Sequence, residues 1–370
     1  MASALRSAAD LWKFRARMAL ALRDDAPDAV ATPAELDQLV ERQVAYWRRH
    51  PPLVGAAAGT ALRGLNERSI SAFVLALRGQ RVSLWPKPEP SPPGQERAEW
   101  REQRQAFLKR AALYRAFLER TLRRARLDCA FDVALDVNDF PADSPELPIL
   151  GFQKPQGGHN VLLPDVDFFH QRWYRREHDA LSYEQKSNTA CFVGSSTGGW
   201  LTVDAIRRHE TPRLRAAAHF HGNPRVLFRL ANAVQCRSDE ARACLESQPY
   251  FSRPLSWDEQ LRHRFLISMD GNGAACSRLV RGLLSHSVVI KYASPHELYY
   301  FPALTPGTHY LSVSQDDDIE RVLDTEAAHP GSFKPVSEAG QCFARRYLSI
   351  RSVMDYTARL LQAVAGLIRP

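Results

Sequence analysis

An α/β fold with parallel sheet is what this 370-residue chain predicts, and three stretches carry the prediction. Residues 189–209 read strand, glycine loop, helix, as TACFV, GSSTGG and WLTVDAIRRH. Residues 263–291 repeat the plan as HRFLISM, DGNGAAC and SRLVRGLLSH, then add a second strand, SVVIK. A strand–helix–strand unit of that kind joins parallel neighbours. Third, CAFDVALDVNDFP at 129–141 sets Cys129, Phe131, Val133, Leu135 and Val137 at period two, which predicts a strand that Pro141 stops.

Composition narrows the class. With 45% hydrophobic residues the chain can bury a full core and form two domains. No apolar run reaches the roughly 18 residues of a membrane span, and no secretory leader is expected at the N-terminus. The net charge is +8, mostly from arginine, which suits an anionic partner such as nucleic acid, a nucleotide phosphate or an acidic membrane surface. The arginines are scattered through predicted helices rather than interleaved with aromatics on one face, which argues against nucleic acid. Six cysteines form no CxxC pair, and Cys129 and Cys191 lie in apolar strand-like runs. A reducing, cytoplasmic setting is expected, with neither a disulfide frame nor a zinc site.

The remaining elements follow in order. Residues 1–23 hold five Arg or Lys and one acid, with Leu11, Phe14, Met18 and Leu22 on one helical face. That helix either packs on its domain, the favoured reading, or lies on an anionic membrane. WPKPEPSPPG at 85–94 breaks regular structure, and a helix follows with Phe107, Ala111, Tyr114, Leu118 and Leu122 along one stripe. His219 and His221 are expected to share a strand face. Residues 308–313, THYLSV, read as a strand, and DDDIERVLDTEA after them as an acid-capped helix. Residues 337–367 read as one helix whose stripe runs Phe343, Tyr347, Ile350, Met354, Ala358, Leu361.

The chemistry concentrates at the loops. In MDGNGAACSR, 269–278, glycines and small side chains expose backbone N–H groups ahead of a helix, and Arg278 adds a charged donor fork. Two readings stand: a diphosphate seat, or a structural turn with a solvent-facing arginine. GSSTGG at 194–199 is a second such loop, with Ser195, Ser196 and Thr197 as hydroxyl donors; it matches neither a Walker A loop nor GxGxxG. Asp139, just past a strand's carboxyl end, is a candidate general base beside the plainer reading of a turn-forming aspartate. Asp136 competes, but its alternation puts it on a strand face. The acidic runs 165–167 and 316–318 have the form of divalent-metal ligands; no metal is assigned to either, and the second reads better as a helix cap.

The segment RHRFLISMDGNGAACSRLVRGLLSHSVVIKYASPHELYYFPALTPGTHYLSV, with FVGSSTGG and LDVNDFP upstream and AGQCFARRYLSIRSVMDYTARLL downstream, resembles glycosyltransferase family 90 over about residues 125–365. This is the CAP10-like group of bacterial lipopolysaccharide core glycosyltransferases, fungal capsule xylosyltransferases and Rumi-like protein O-glucosyltransferases. The resemblance implies a GT-B fold, two Rossmann-like domains facing across a cleft. Residues 1–50 would be an N-terminal helical segment, 51–185 the acceptor domain, 186–335 the nucleotide-sugar domain and 336–370 a helix packing back. It implies inverting transfer of a sugar, glucose or xylose, from a UDP-sugar to a hydroxyl of lipopolysaccharide or another surface glycan, with no obligatory cofactor or metal. The alternatives are a protein O-glycosyltransferase and a non-catalytic glycan- or nucleotide-binding relative. By motif, Asp139 is the general base and Arg278 a diphosphate contact. Gly194, Ser195, Thr197, Asp270, Gly271 and Ser277 line the donor site, and Glu297 sits near the ribose or base. Ser196 stands where eukaryotic members often carry arginine, and no ER signal or retention tail is expected, so the bacterial branch fits better; Thr305-Pro306-Gly307 stands where Lys-Pro-Trp is common and leaves the donor sugar open. The basic surface suits an anionic lipid-linked acceptor at the cytoplasmic face of an inner membrane.

Overall fold

The computed structural model describes residues 2–24, 30–88, 97–173, 179–274 and 277–368. The chain forms two compact units, one of residues 1–174, 296–303 and 346–370, the other of 175–295 and 304–345. Among the described residues no helix is long and apolar enough to cross a membrane.

The first unit begins with α1 (Ala2–Asp24), α2 (Pro33–Arg49) and α3 (Gly55–Arg68). Phe14 and Met18 of α1 are buried, as the stripe predicts; the Leu22 side chain lies outside the described residues. Thr32 and Glu35 cap α2 reciprocally and Pro33 takes the first helical position, where its missing N–H costs nothing. A hairpin of β1 (Ala72–Gly79) and β2 (Arg81–Leu84) precedes α4 (Arg97–Ala125), which buries Ala111, Tyr114, Leu118 and Leu122. Between them Trp85–Pro88 are irregular, and 89–94 of the proline-rich break lie outside the described residues. Then come β3 (Cys129–Asp136), β4 (Ile149–Gly151), β5 (Lys154–Pro155), β6 (Val161–Leu162) and the single turn α5 (Asp167–His170). The sheet runs β2-β1-β3-β4-β6. Its β3, β4 and β6 are parallel, while β1 is antiparallel to both of its neighbours.

The second unit supplies β7 (Ser187–Ser195), α6 (Val203–Arg207), α7 (Pro212–His219), β8 (Val226–Asn232), α8 (Asp239–Glu246) and α9 (Trp257–Gln260). It continues with β9 (His263–Ser268), α10 (Ser277–Leu284) and β10 (Val288–Tyr292). The chain then gives β11 (His296–Glu297) to the first unit, where it pairs with β5. It returns for β12 (Leu311–Val313), α11 (Asp317–Ala328) and α12 (Lys334–Tyr347). Finally α13 (Ile350–Ile368) joins the first unit against α2, α4 and β3.

The second sheet runs β12-β10-β9-β7-β8, with every pairing parallel. Both faces are covered: Ala190 and Phe192 enter one apolar cluster, Cys191 and Val193 another. That explains why β7 reads as an unbroken apolar run. In chain order within the unit the strands lie 5-4-3-1-2, so the order reverses between β7 and β9. Ligands of doubly wound folds bind at that reversal.

Three expectations are corrected. The helix read from Trp200 onward is only five residues long and starts at Val203, because Leu201 first bridges to Cys236 and Thr202 then caps the turn. HFHG is not a strand: Thr211 caps a helix with Pro212 at its first turn, so His219 ends α7 and His221 lies in the turn after it. Residues 337–367 are two helices, broken at Leu348–Ser349, where the Ser349 hydroxyl accepts the Ser352 N–H at 3.2 Å.

Candidate active site

The loops after β7 and β9 meet at the reversal. An added Cβ on Gly198 would stand 3.5 Å from the Gly271 carbonyl, and one on Gly271 only 2.3 Å from the Thr197 hydroxyl. Gly198 itself has φ +118°, a conformation side chains resist. The two glycine loops are thus one seat, and the close approach requires glycine at 271 specifically.

Arg213, at the start of α7, holds the seat together and was not visible in the sequence. It donates to the Ser195 carbonyl (2.7 Å), the Thr197 hydroxyl (2.6 Å), the Asp270 carbonyl (3.1 Å) and the Met269 carbonyl (2.9 Å). Its guanidinium lies 5.2 Å from the Phe192 ring centroid. Nothing in TPRLR marks this arginine out from its neighbours; only the strand order brings it under both loops. Ser195 accepts from Asn232 at 3.3 Å, and Gln235 accepts the Gly198 N–H at 3.2 Å. Ser196 turns inward, exchanging hydrogen bonds with the backbone of Val234. The Asp270 carboxylate is held by Lys291 at 3.3 Å and by the Ser294 hydroxyl.

Arg278 does not take the ligand-facing orientation expected for it. It is only 8% exposed, donates to Gln260 at 2.8 Å and to the Val193 carbonyl, and stacks on Phe192 and Trp257. Its charge stands behind the strand end that carries Gly194. Ser277 opens α10, which is eight residues long, so a helix N-terminus follows the second loop; Cys276 lies outside the described residues. The five-residue α6 offers no comparable end to the first loop.

In the first unit, the turn after β3 presents Asp139. Asp136 is 1% exposed and spends both carboxylate oxygens on this turn, accepting the Asn138 N–H at 2.9 Å and the Ala142 N–H at 2.8 Å. Gln153, just beyond β4, donates to the Asp139 carbonyl. The backbone is pinned while the Asp139 side chain keeps 41% of its exposure, 3.7 Å from Arg110. Asp165 and Asp167 of the first acidic run face the same guanidinium. Glu297, on β11, also belongs to this unit and lies 3.7 Å from Lys154. In the second acidic run Asp318, not Asp316, closes the α11 N-terminus by accepting the Ser314 and Gln315 N–H groups. Exposed His219 and Asp317 and half-buried Glu320 bring their ligand atoms within 4.8 Å of one another, a grouping that the sequence spacing concealed.

A parallel sheet with helices on its faces and two glycine loops converging at the strand reversal places the chain among α/β proteins, whose ligands are commonly held at such a reversal. The profile of Glycosyl transferase family 90 matches residues 101–370, well over half the chain, and the chain belongs to that family. It is similar to Protein O-glucosyltransferase 2 of Danio rerio, 32% identical over 114 residues, covering 30% of this chain and 23% of that protein. Similarity to Protein O-glucosyltransferase 1 of Homo sapiens is longer and weaker, 20% over 258 residues, covering 62% of this chain and 61% of the relative. O-glucosyltransferase LpsA of Dichelobacter nodosus is 21% identical over 230 residues, 61% of this chain and 64% of the relative. The chain thus spans less than two thirds of the length of the curated relatives it matches.

Proposed function

We propose that the protein is an inverting glycosyltransferase that moves a sugar, glucose or xylose, from a UDP-sugar to a hydroxyl of lipopolysaccharide or another surface glycan, with the two units in a GT-B arrangement. The observation that carries this reading is the convergence of the 194–199 and 270–274 loops over Arg213. Backbone N–H groups of both loops, with Ser195, Thr197 and Ser277, would bind the diphosphate. Arg213 and Arg278 lend positive charge from behind, where the sheet excludes water. Asp270, tied to Lys291 and Ser294, shapes the floor. Glu297 would face the ribose or base.

Asp139 accepts the proton of the acceptor hydroxyl as its oxygen attacks the anomeric carbon. The bond from that carbon to the diphosphate breaks on the opposite side, and its electron pair leaves with UDP, so the configuration inverts. No obligatory metal enters this reading: in the first acidic run the place of a cation among the carboxylates is taken by the Arg110 guanidinium. The family supports glycosyl transfer, and relatives named O-glucosyltransferase support glucose as the sugar and a hydroxyl as the acceptor.

A cytoplasmic place at the face of an anionic membrane belongs to the same reading. On α1, Trp12 and Leu20 are 71% and 53% exposed, with the exposed Lys13 and Arg15 on either side of them. An exposed tryptophan flanked by cations suits the interface of an anionic bilayer.

The test is a thermal-shift panel of UDP-, GDP- and CMP-sugars, repeated with EDTA. Stabilisation by UDP-glucose or UDP-xylose, with and without EDTA, is expected. Stabilisation by GDP or CMP alone, or only with added manganese or magnesium, overturns the reading.

A further inference from the structure

Arg110, on α4, donates from Nη2 to both carboxylate oxygens of Asp165, at 2.9 and 3.0 Å, and its guanidinium lies 4.0 Å from the centroid of the Phe152 ring. Doubly bonded and stacked, the planar group has little freedom left. In that orientation Nη1 stands 3.7 Å from Asp139 and Nη2 stands 3.8 Å from Asp167. Side-chain exposure rises from 10% at Asp165 to 25% at Asp167 and 41% at Asp139. The guanidinium is therefore anchored through Nη2, which bonds Asp165 and lies beside Asp167, while Nη1 donates to the Val137 carbonyl at 3.5 Å and lies beside Asp139.

We propose that Arg110 is a positioning residue for Asp139, anchored by Asp165 and shared with Asp167, so that the charges on Asp139 and Asp167 are coupled through one guanidinium. This rests on the reading of Asp139 as the general base. An ion pair at this distance aims a carboxylate without covering it, which a base that must meet an incoming hydroxyl requires. Burial works against the charge on Arg110, but Asp165, Tyr114 and Asp167 together more than offset it, so the group stays cationic. Asp167 is pushed up to about 6 by burial and then by the Asp165 charge, and Asp139 adds to the effect. The charged groups acting on this cluster are Arg110 and Lys109 from α4 and Asp165 from the segment before α5. Asp136, on β3, has committed both oxygens to backbone N–H groups.

The test is a carbon-13 NMR titration of aspartate-labelled protein, with the Asp167 signal identified by its loss in Asp167→Asn. Asp167 is expected to titrate at about 6. Asp139→Asn removes a like charge and should lower that midpoint. Arg110→Met removes the opposite charge and should raise it by about one pH unit or more. Arg110→Lys keeps a charge without the fork and should raise it less; it also guards against a fold lost in the methionine variant. An Asp167 midpoint that stays in place in Asp139→Asn overturns the coupling.

Kinetics of UDP release from UDP-glucose give the second readout. The acid limb of kcat should move to higher pH in Arg110→Met and to lower pH in Asp167→Asn, with KM for UDP-glucose little changed in either. Limbs that move in the same direction overturn the positioning role. If the wild type releases no UDP from UDP-glucose or UDP-xylose, the functional reading fails, and the NMR titration alone still decides the coupling.

Discussion

Arg213 donates to the Thr197 hydroxyl at 2.6 Å while its other nitrogens reach the carbonyls of Met269 and Asp270, so one side chain on α7 ties the loop after β7 to the loop after β9. Replacing it with methionine leaves four acceptors without their donor. A buried polar group that loses its partner costs about 1–3 kcal/mol. Arg213→Met should therefore lower the urea midpoint and, if these loops hold UDP as proposed, weaken its binding by roughly 10-fold or more, equivalent to about 1.4 kcal/mol, read by calorimetry. Gly271→Ala should weaken binding as strongly, because its methyl would overlap the Thr197 hydroxyl. UDP affinity unchanged in both variants would show that the loops hold their shape without this junction.

Much of this arrangement was legible in the sequence, and the exceptions have physical causes. Strand–loop–helix order and apolar runs predicted the second sheet, because strands buried on both faces leave little choice of residue. That Asp139 lies past a strand end was legible, but β3 stops at Asp136, well before Pro141, where the Asp136 carboxylate takes up the Asn138 and Ala142 N–H groups. Arg213 was hidden, since a buried arginine that bonds to carbonyls has no sequence pattern of its own. Arg278 shows the converse: an arginine in the first turn of α10 reads as ligand-facing, yet Phe192, Trp257 and Gln260 draw it inward. The break between α12 and α13 was missed because the apolar stripe carries across it, and only Ser349 marks the new start.

Glu35 should make the first unit sensitive to acid. Burial opposes its charge, but the Thr32 N–H, Arg346 and the Tyr347 hydroxyl more than offset burial and hold the carboxyl at about 2, below the ordinary 4.5 of a glutamate. A depressed folded-state value means stability that is present above 4.5 and is lost as pH falls toward about 2. Glu35→Gln should be less stable than the wild type at neutral pH, and the gap should close as pH drops through that window. Urea unfolding at a series of pH values measures it; a gap that stays constant with pH contradicts the assignment.

The exposed face of α1 predicts salt-sensitive membrane binding. Trp12→Ser and Leu20→Ser remove the apolar contacts, and Lys13→Gln with Arg15→Gln removes the flanking charge. Each pair should reduce cosedimentation with anionic phosphatidylglycerol vesicles several-fold, with little change in thermal stability, because these side chains are exposed. Binding should fall as salt rises. Equal binding to zwitterionic phosphatidylcholine vesicles would show that charge is not what selects the surface.

Asp139 and Asp136 should separate function from stability. Asp139 is 41% exposed in its side chain, so an asparagine there should fold. If Asp139 is the general base, Asp139→Asn loses transfer by roughly 10²–10⁴-fold while UDP affinity is kept, since the amide cannot accept the proton. Asp136→Asn is the opposite case. One of its two oxygens becomes an NH₂ group facing either the Asn138 or the Ala142 N–H, so two donors oppose each other in a site that is 1% exposed. That should cost about 1–3 kcal/mol in unfolding free energy, and it loosens the turn that carries Asp139. Its loss of transfer should therefore shrink at low temperature, where the turn re-forms, whereas the Asp139→Asn defect should not. Near-normal transfer by Asp139→Asn would move the base to Asp167, the other partly exposed carboxylate on Arg110, because Asp136 is only 1% exposed and its oxygens hold the turn.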